Sequence, residues 1–158
     1  MAEDYDGESY DATYEEKFVP VKVQNYSDFK IIKQQGEIVK EQEIIYPQSI
    51  FKTPKGETVI DFGQNMTGYI LTKVNASAGE VVDISYAEVM DRDGNFYNEN
   101  YRSARAQIIY IGDGETHTWK PEFTFYGFRY IRLKEFHGEV NPDAFTAIAV
   151  HSDMERTG

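Results

Sequence analysis

Between Pro121 and Phe136 the chain reads Pro-Glu-Phe-Thr-Phe-Tyr-Gly-Phe-Arg-Tyr-Ile-Arg-Leu-Lys-Glu-Phe, with apolar side chains in both phases of a two-residue repeat. One phase holds Phe123, Phe125, Ile131 and Leu133, with Gly127 and Arg129 between the pairs; the other holds Tyr126, Phe128, Tyr130 and Phe136. Aromatic and β-branched residues suit a pleated, half-buried surface, so the pattern predicts a central strand, bent at Gly127 where a bulge would switch faces. A strand that is apolar on both faces needs cover on both. One cover is the core. The other is more core or a covering arm, a second domain, or a ligand, and the pattern leaves all three open.

Shorter runs surround this one. Residues 18–23 form an extended segment placed at an edge by Pro20, and residues 38–46 and 48–52 form strands parted at Pro47. Residues 58–62 lead into a two-glycine loop over 61–68, which opens onto a strand over 69–74. Residues 81–88 alternate cleanly, with Val82, Ile84 and Tyr86 on one face and Asp83 and Ser85 on the other. Asp91-Arg92-Asp93-Gly94-Asn95 is a tight turn into a polar connection over 96–102. A strand over 103–111 turns at Gly112-Asp113-Gly114, a hairpin signal, into residues 116–119. Asn141-Pro142 caps one helical turn before a last strand over 145–150. Residues 1–16 show neither period and read as a loosely docked acidic arm. No stretch of ~10 residues carries the helical period, so the chain is all-β with little or no helix: an antiparallel β-sandwich or jelly roll.

Composition changes this picture only in places. A chain of 158 residues with 41% hydrophobic and 15% aromatic content fits one domain with a sizeable core. It has no cysteine, which excludes disulfides, zinc-thiolate sites and cysteine nucleophiles. Of the 27 acidic residues, seven precede Lys17, and the remaining 20 face all 16 basic residues, so most of the net charge of −11 belongs to the arm. That balance argues against a nucleic-acid partner. No apolar run approaches the ~20 residues of a membrane span, and the start lacks the basic-then-apolar pattern of a signal peptide. Periplasmic, extracellular and cytoplasmic sites all stay open.

Candidate chemistry is sparse. Asp91, Asp93 and Asn95 have calcium-loop spacing, but Phe96 and Arg102 stand where glycine and a bidentate acid belong, so a plain turn and no metal is the expectation. His151, Ser152 and Asp153 are adjacent and cannot form a triad. Glu88, Asp91, Asp93 and Glu99 cluster in sequence, yet nothing marks two of them as an acid–base pair. Aromatic side chains are the remaining candidates: Trp119, Tyr126 and Tyr130 for a sugar platform, or the same strand face for a protein interface.

Five stretches are similar, in order, to landmarks of the bacterial α-L-rhamnosidases of glycoside hydrolase family 78. They are Tyr5-Asp6-Gly7-Glu8-Ser9-Tyr10-Asp11-Ala12, Asp61-Phe62-Gly63-Gln64-Asn65-Met66-Thr67-Gly68, Ala87-Glu88-Val89-Met90-Asp91-Arg92-Asp93-Gly94-Asn95, Phe123-Thr124-Phe125-Tyr126-Gly127-Phe128-Arg129-Tyr130 and Val150-His151-Ser152-Asp153-Met154-Glu155-Arg156-Thr157-Gly158. Tyr126 departs from the pattern, where the family often has His. The resemblance implies a concanavalin-like β-sandwich between an N-terminal domain and a catalytic (α/α)₆ barrel that holds the acid and base. It divides the chain into 1–16, the tail of a preceding domain; 17–151, the sandwich; and 152–158, the start of a linker. Catalytic residues and cofactors are then expected to be absent. The implied partners are the barrel and N-terminal domain of the same polypeptide, with contacts expected at Phe128, Tyr130, Asn65, Tyr97 and Arg102. The alternative is a carbohydrate-binding module for rhamnosylated glycans, using Trp119, Tyr126 and Tyr130.

Overall fold

The computed structural model describes residues 2–3, 5–25, 29–137, 140–155 and 157. In chain order the strands are β1 (Ala2–Glu3), β2 (Gly7–Asp11), β3 (Val39–Ile45), β4 (Ser49–Lys52), β5 (Thr58–Asn75), β6 (Val81–Ala87), β7 (Val89–Met90), β8 (Phe96–Tyr97), β9 (Gln107–Ile111), β10 (Thr116–Trp119), β11 (Tyr126–Glu135) and β12 (Phe145–Ser152). Short 3₁₀ turns lie at Glu99–Tyr101 and Pro142–Ala144; in the second, Asn141 Oδ1 accepts from the Asp143 amide at 3.0 Å, the expected cap.

β5 organises the fold. Its first half pairs with β4 on one side and β11 on the other; its second half pairs with β12 and β10. The sheet runs β1-β2-β9-β6-β11-β5-β12-β3, and it curls through β5 so that its two ends face each other as the layers of a sandwich. Between them lie Ile60, Phe62, Ile70, Ile84, Tyr86, Ile108, Phe128, Ile131 and Phe145, none more than 1% exposed. Phe62 meets Phe128 edge-on with ring centroids 5.8 Å apart, and Tyr86 meets Phe128 at 4.8 Å, geometry the aromatic quadrupole favours. The all-β sandwich expectation is met.

Details differ from the pattern reading. Residues 61–68 are not a loop between strands. β11 pairs with Asp61 and with Met66, Thr67 and Gly68 themselves, but the register jumps from Phe128↔Met66 to Tyr130↔Asp61, so residues 62–65 are a bulge inside one strand. Gly63 takes a φ of +82°, and its amide donates to Asp61 Oδ1 at 2.6 Å, which tightens the bulge. Gly68 lies so close to β12 that a Cβ would stand 2.0 Å from the Ile148 carbonyl oxygen.

The aromatic strand begins at Tyr126, and its face switch falls at Arg129 rather than Gly127. Tyr126 and Phe128 are buried before the switch, Ile131 and Leu133 after it, all on the core side. The opposite face carries Tyr130, partly buried against a second, smaller cluster of Val59, Ala87 and Phe96. Phe123 and Phe125 lie outside it and are 73% and 55% exposed.

Gly7–Asp11 is a strand, parallel to β9, with Glu8 buried; a loosely docked arm is the wrong reading of these residues. Residues 18–23 form no strand and are exposed. Nor do β9 and β10 form a hairpin, because β9 pairs with β6 and β2 while β10 pairs with β5. Of the expected arm, loop and linker, Met1, Asp4, Gly138, Glu139, Arg156 and Gly158 lie outside the described residues.

Candidate functional site

The outer face of β11 carries arginines where the inner face carries rings. Arg129, at the switch, donates from Nε and Nη2 to the two carboxylate oxygens of Asp61, both at 2.8 Å. This bidentate pair spans the bulge in β5 and fixes its depth. Burial raises the Asp61 carboxyl, but the Arg129 and Gly63 donors outweigh it and hold the carboxyl below its ordinary range. Arg129 also lies 4.9 Å over the Tyr130 ring.

β7 and β8 fold over the next part of this face. Phe96 inserts beside Val59 and Ala87, with Arg132 4.4 Å over its ring. Glu57 ties the ribbon down by accepting from Arg132 at 2.6 Å, the Phe96 amide at 3.1 Å and Thr53 at 3.0 Å. The tight turn forms as expected: Asp91 Oδ1 accepts from the amides of Asp93 and Asn95 at 2.9 and 2.7 Å. Among the described residues, no group of three or more His, Asp or Glu could hold a metal ion.

Beyond the ribbon is a polar surface centred on Glu88. Asn65, pushed out by the bulge, donates to Glu88 Oε1 at 3.2 Å, and Asn100 donates to Oε2 at 3.0 Å. The Tyr101 hydroxyl donates to the Gly127 carbonyl; burial, and then the Glu88 charge, push its pKa up. Arg102 follows at φ +60°, a conformation that costs a non-glycine residue about 1–3 kcal/mol and turns its side chain into solvent. Of the residues expected at a domain contact, Asn65 meets Glu88 here beside Asn100, whereas Tyr130 packs with Val59, Ala87 and Phe96, Tyr97 pairs with Val89 across the ribbon, and Arg102 is exposed. Glu88, one of the clustered acids that nothing in the sequence marks, is the residue that holds Asn65 and Asn100 together.

Phe128 does not join them. At 0% exposure it is core and offers nothing to another domain, a correction that follows from the switch at Arg129. The sugar platform is also not assembled. Tyr126 is 6% exposed, packed 4.4 Å from Tyr86, with its hydroxyl donating to the Gln107 carbonyl at 3.0 Å. Trp119 sits elsewhere, against Tyr110 at 5.4 Å and Tyr10 at 5.9 Å. His117 pairs with Asp113 at 3.0 Å, and His151 is exposed with Nδ1 3.0 Å from the Ser152 carbonyl, so neither serves a nucleophile.

Residues 51–151 match the family described as the bacterial alpha-L-rhamnosidase concanavalin-like domain. An alpha-L-rhamnosidase from Formosa agariphila is 34% identical over 155 residues, covering 90% of this chain and 17% of its own length. The crystal structure of native alfa-L-rhamnosidase from Aspergillus terreus superposes with a TM-score of 0.81 at 30% identity, over 99% of this chain and 20% of that one. That of the alpha-L-rhamnosidase from Dictyoglumus thermophilum gives 0.77 at 30% identity, over 94% and 18%. The chain thus spans a fifth or less of the length of each of these proteins.

Proposed function

We propose, on the premise that this chain belongs to the bacterial α-L-rhamnosidase concanavalin-like domain family, that it is a non-catalytic structural domain of a larger rhamnosidase. The polypeptide as a whole would hydrolyse terminal α-L-rhamnose from glycans, with acid and base supplied by its (α/α)₆ barrel. This domain's part is to pack against the barrel and hold the N-terminal domain. Residues 1–16 would then continue from that preceding domain, although Gly7–Asp11 is built into this sheet, and residues 152–158 would lead on to the barrel.

The observation that carries the reading is the Glu88 surface. Two asparagine amides hold its carboxylate flat beside the Gly127 backbone, where a Cβ would already lie 3.2 Å from Oε1. A polar network fixed before any partner arrives, on a bulge and a strained turn, suits a domain interface.

Two measurements test the proposal. The chain should show no turnover of an aryl α-L-rhamnoside; turnover abolished by one carboxylate substitution here would overturn the non-catalytic assignment. Hydrogen exchange at Asn65, Tyr97, Asn100 and Arg102 should slow in the full-length polypeptide relative to this chain. Equal exchange would remove the interface.

A further inference from the structure

At the far end of β11 the surface charge reverses. Lys52, Lys55, Arg132 and Lys134 line an open depression of about 500 Å³ in a chain whose net charge is −11. The sheet places them at its end: Lys52 on β4 and Leu133 on β11 both pair with Thr58 of β5, so β4 and β11 stand two spacings, about 10 Å, apart, with Lys52 on the face of Leu133 and Lys134 turned to the opposite one. One small anion cannot bridge that gap, whereas a chain of anionic groups can.

Arg132 is committed to Glu57 at 2.6 Å, but Lys52 and Lys55 are only lightly held. Lys134 is 3.6 Å from Asp83, and Lys55 is 4.0 Å from Asp91 with 68% of its side chain exposed. Lys52 donates to a neutral partner, the Thr58 hydroxyl, at 2.6 Å. Lys52 and Lys55 therefore have little to give up on meeting a ligand anion, whereas Lys134 keeps Asp83, whose side chain is only 16% exposed, as its partner while it faces the depression. The depression also has an apolar wall, in which half-buried Phe136 is backed by Phe145 at 5.3 Å and flanked by Val140. A ring edge beside cationic groups offers one surface to the C–H face of a sugar and another to its charges.

We propose that this groove binds an acidic saccharide, an oligosaccharide bearing carboxylate or sulfate groups. Lys52 and Lys55 pair its anions, and Phe136 packs against one of its rings. The saccharide part of this assignment rests on the proposed place of the domain in a glycoside hydrolase; the anionic part rests on the groove alone.

Titration calorimetry and amide chemical-shift mapping of the 158-residue chain, with three tetrasaccharides at low salt, test it. The probes are a galacturonate tetramer, a sulfated galactan tetramer and neutral maltotetraose. At least one acidic probe should bind about tenfold or more tighter than the neutral one and weaken as salt rises. Its shifts should fall on residues 52–58 and 132–136, and which acidic probe wins identifies the anion. The exposed double variant K52E/K55E, and the milder K52Q/K55Q, should each lose about tenfold or more in affinity with unchanged melting. Equal binding of maltotetraose, no binding of either acidic probe, competition by inorganic sulfate at equal charge, or undiminished binding by both variants would overturn the proposal. None of these outcomes touches the non-catalytic assignment, which turnover and exchange decide separately.

Discussion

Glu8→Ala is the sharpest test of how the N-terminal residues belong to this domain. The Glu8 side chain reaches across from β2 to accept from the Glu122 amide at 3.0 Å and the Phe123 amide at 2.9 Å, in a residue only 7% exposed. Hydrogen bonds to a charged acceptor contribute about 1.5–3 kcal/mol each, and truncation also strands two partly buried amides. Discounting for water that reaches the shortened site, the loss should be about 3–4 kcal/mol. With a urea m-value of about 2 kcal/mol/M, the midpoint should fall by about 1.5–2 M at constant m. Hydrogen exchange should quicken at Glu122 and Phe123 and along Gly7–Asp11, since the same carboxylate pins both segments. Glu8→Gln keeps one acceptor and should lose roughly half as much. A midpoint change below about 0.25 M, with unchanged exchange at Glu122, would falsify the view that this strand is integral.

Other substitutions separate the faces of β11 and the two halves of β5. Phe128→Ala should cost about 3–5 kcal/mol, whereas Phe123→Ala, on a ring 73% exposed, should stay within about 0.5, both read by chemical denaturation. Gly68→Ala drives a Cβ to within 2.0 Å of the Ile148 carbonyl oxygen and should cost at least about 1–3 kcal/mol, with exchange quickening in β12. Asp61→Asn should cost about 1–2 kcal/mol at neutral pH, a figure reduced because the Arg129 side chain is 37% exposed. Because the Asp61 carboxyl is lowered in the fold, that stabilisation is complete above its unfolded value of about 3.9 and is lost as pH falls through the folded one. Denaturation curves of the parent chain and D61N should therefore converge in acid; a difference that persists to pH 2 would refute the ion pair's role.

Much of the fold was legible because strands announce themselves locally. The alternation in residues 81–88 and the Asp91 to Asn95 turn depend on side chains within a few residues, and both formed where the pattern put them. The site was less legible. Glu88 looked like one acid among 27 until a bulge in a distant strand delivered Asn65 to it. Phe128 and Tyr130 shared a phase in the sequence, and only the extra residue at the switch sent one into the core and the other outward. The basic groove joins β4 to β11, whose lysines are some eighty positions apart.

By itself, then, the sequence determined the fold class, the absence of long helices, and the family, because these rest on local periodicity and on motifs read in order. Tertiary structure alone decided which phase of β11 faces inward, which strands pair, and which charged groups meet. The reason is the two-residue period of a strand. One bulge reverses every later side chain, and its position is set by a neighbouring strand through pairings such as Arg129 with Asp61. The stretch from Phe123 to Phe136, apolar on both faces when read as letters, folds as a strand only over Tyr126–Glu135, with a core side and a side that carries Tyr130 and the arginines.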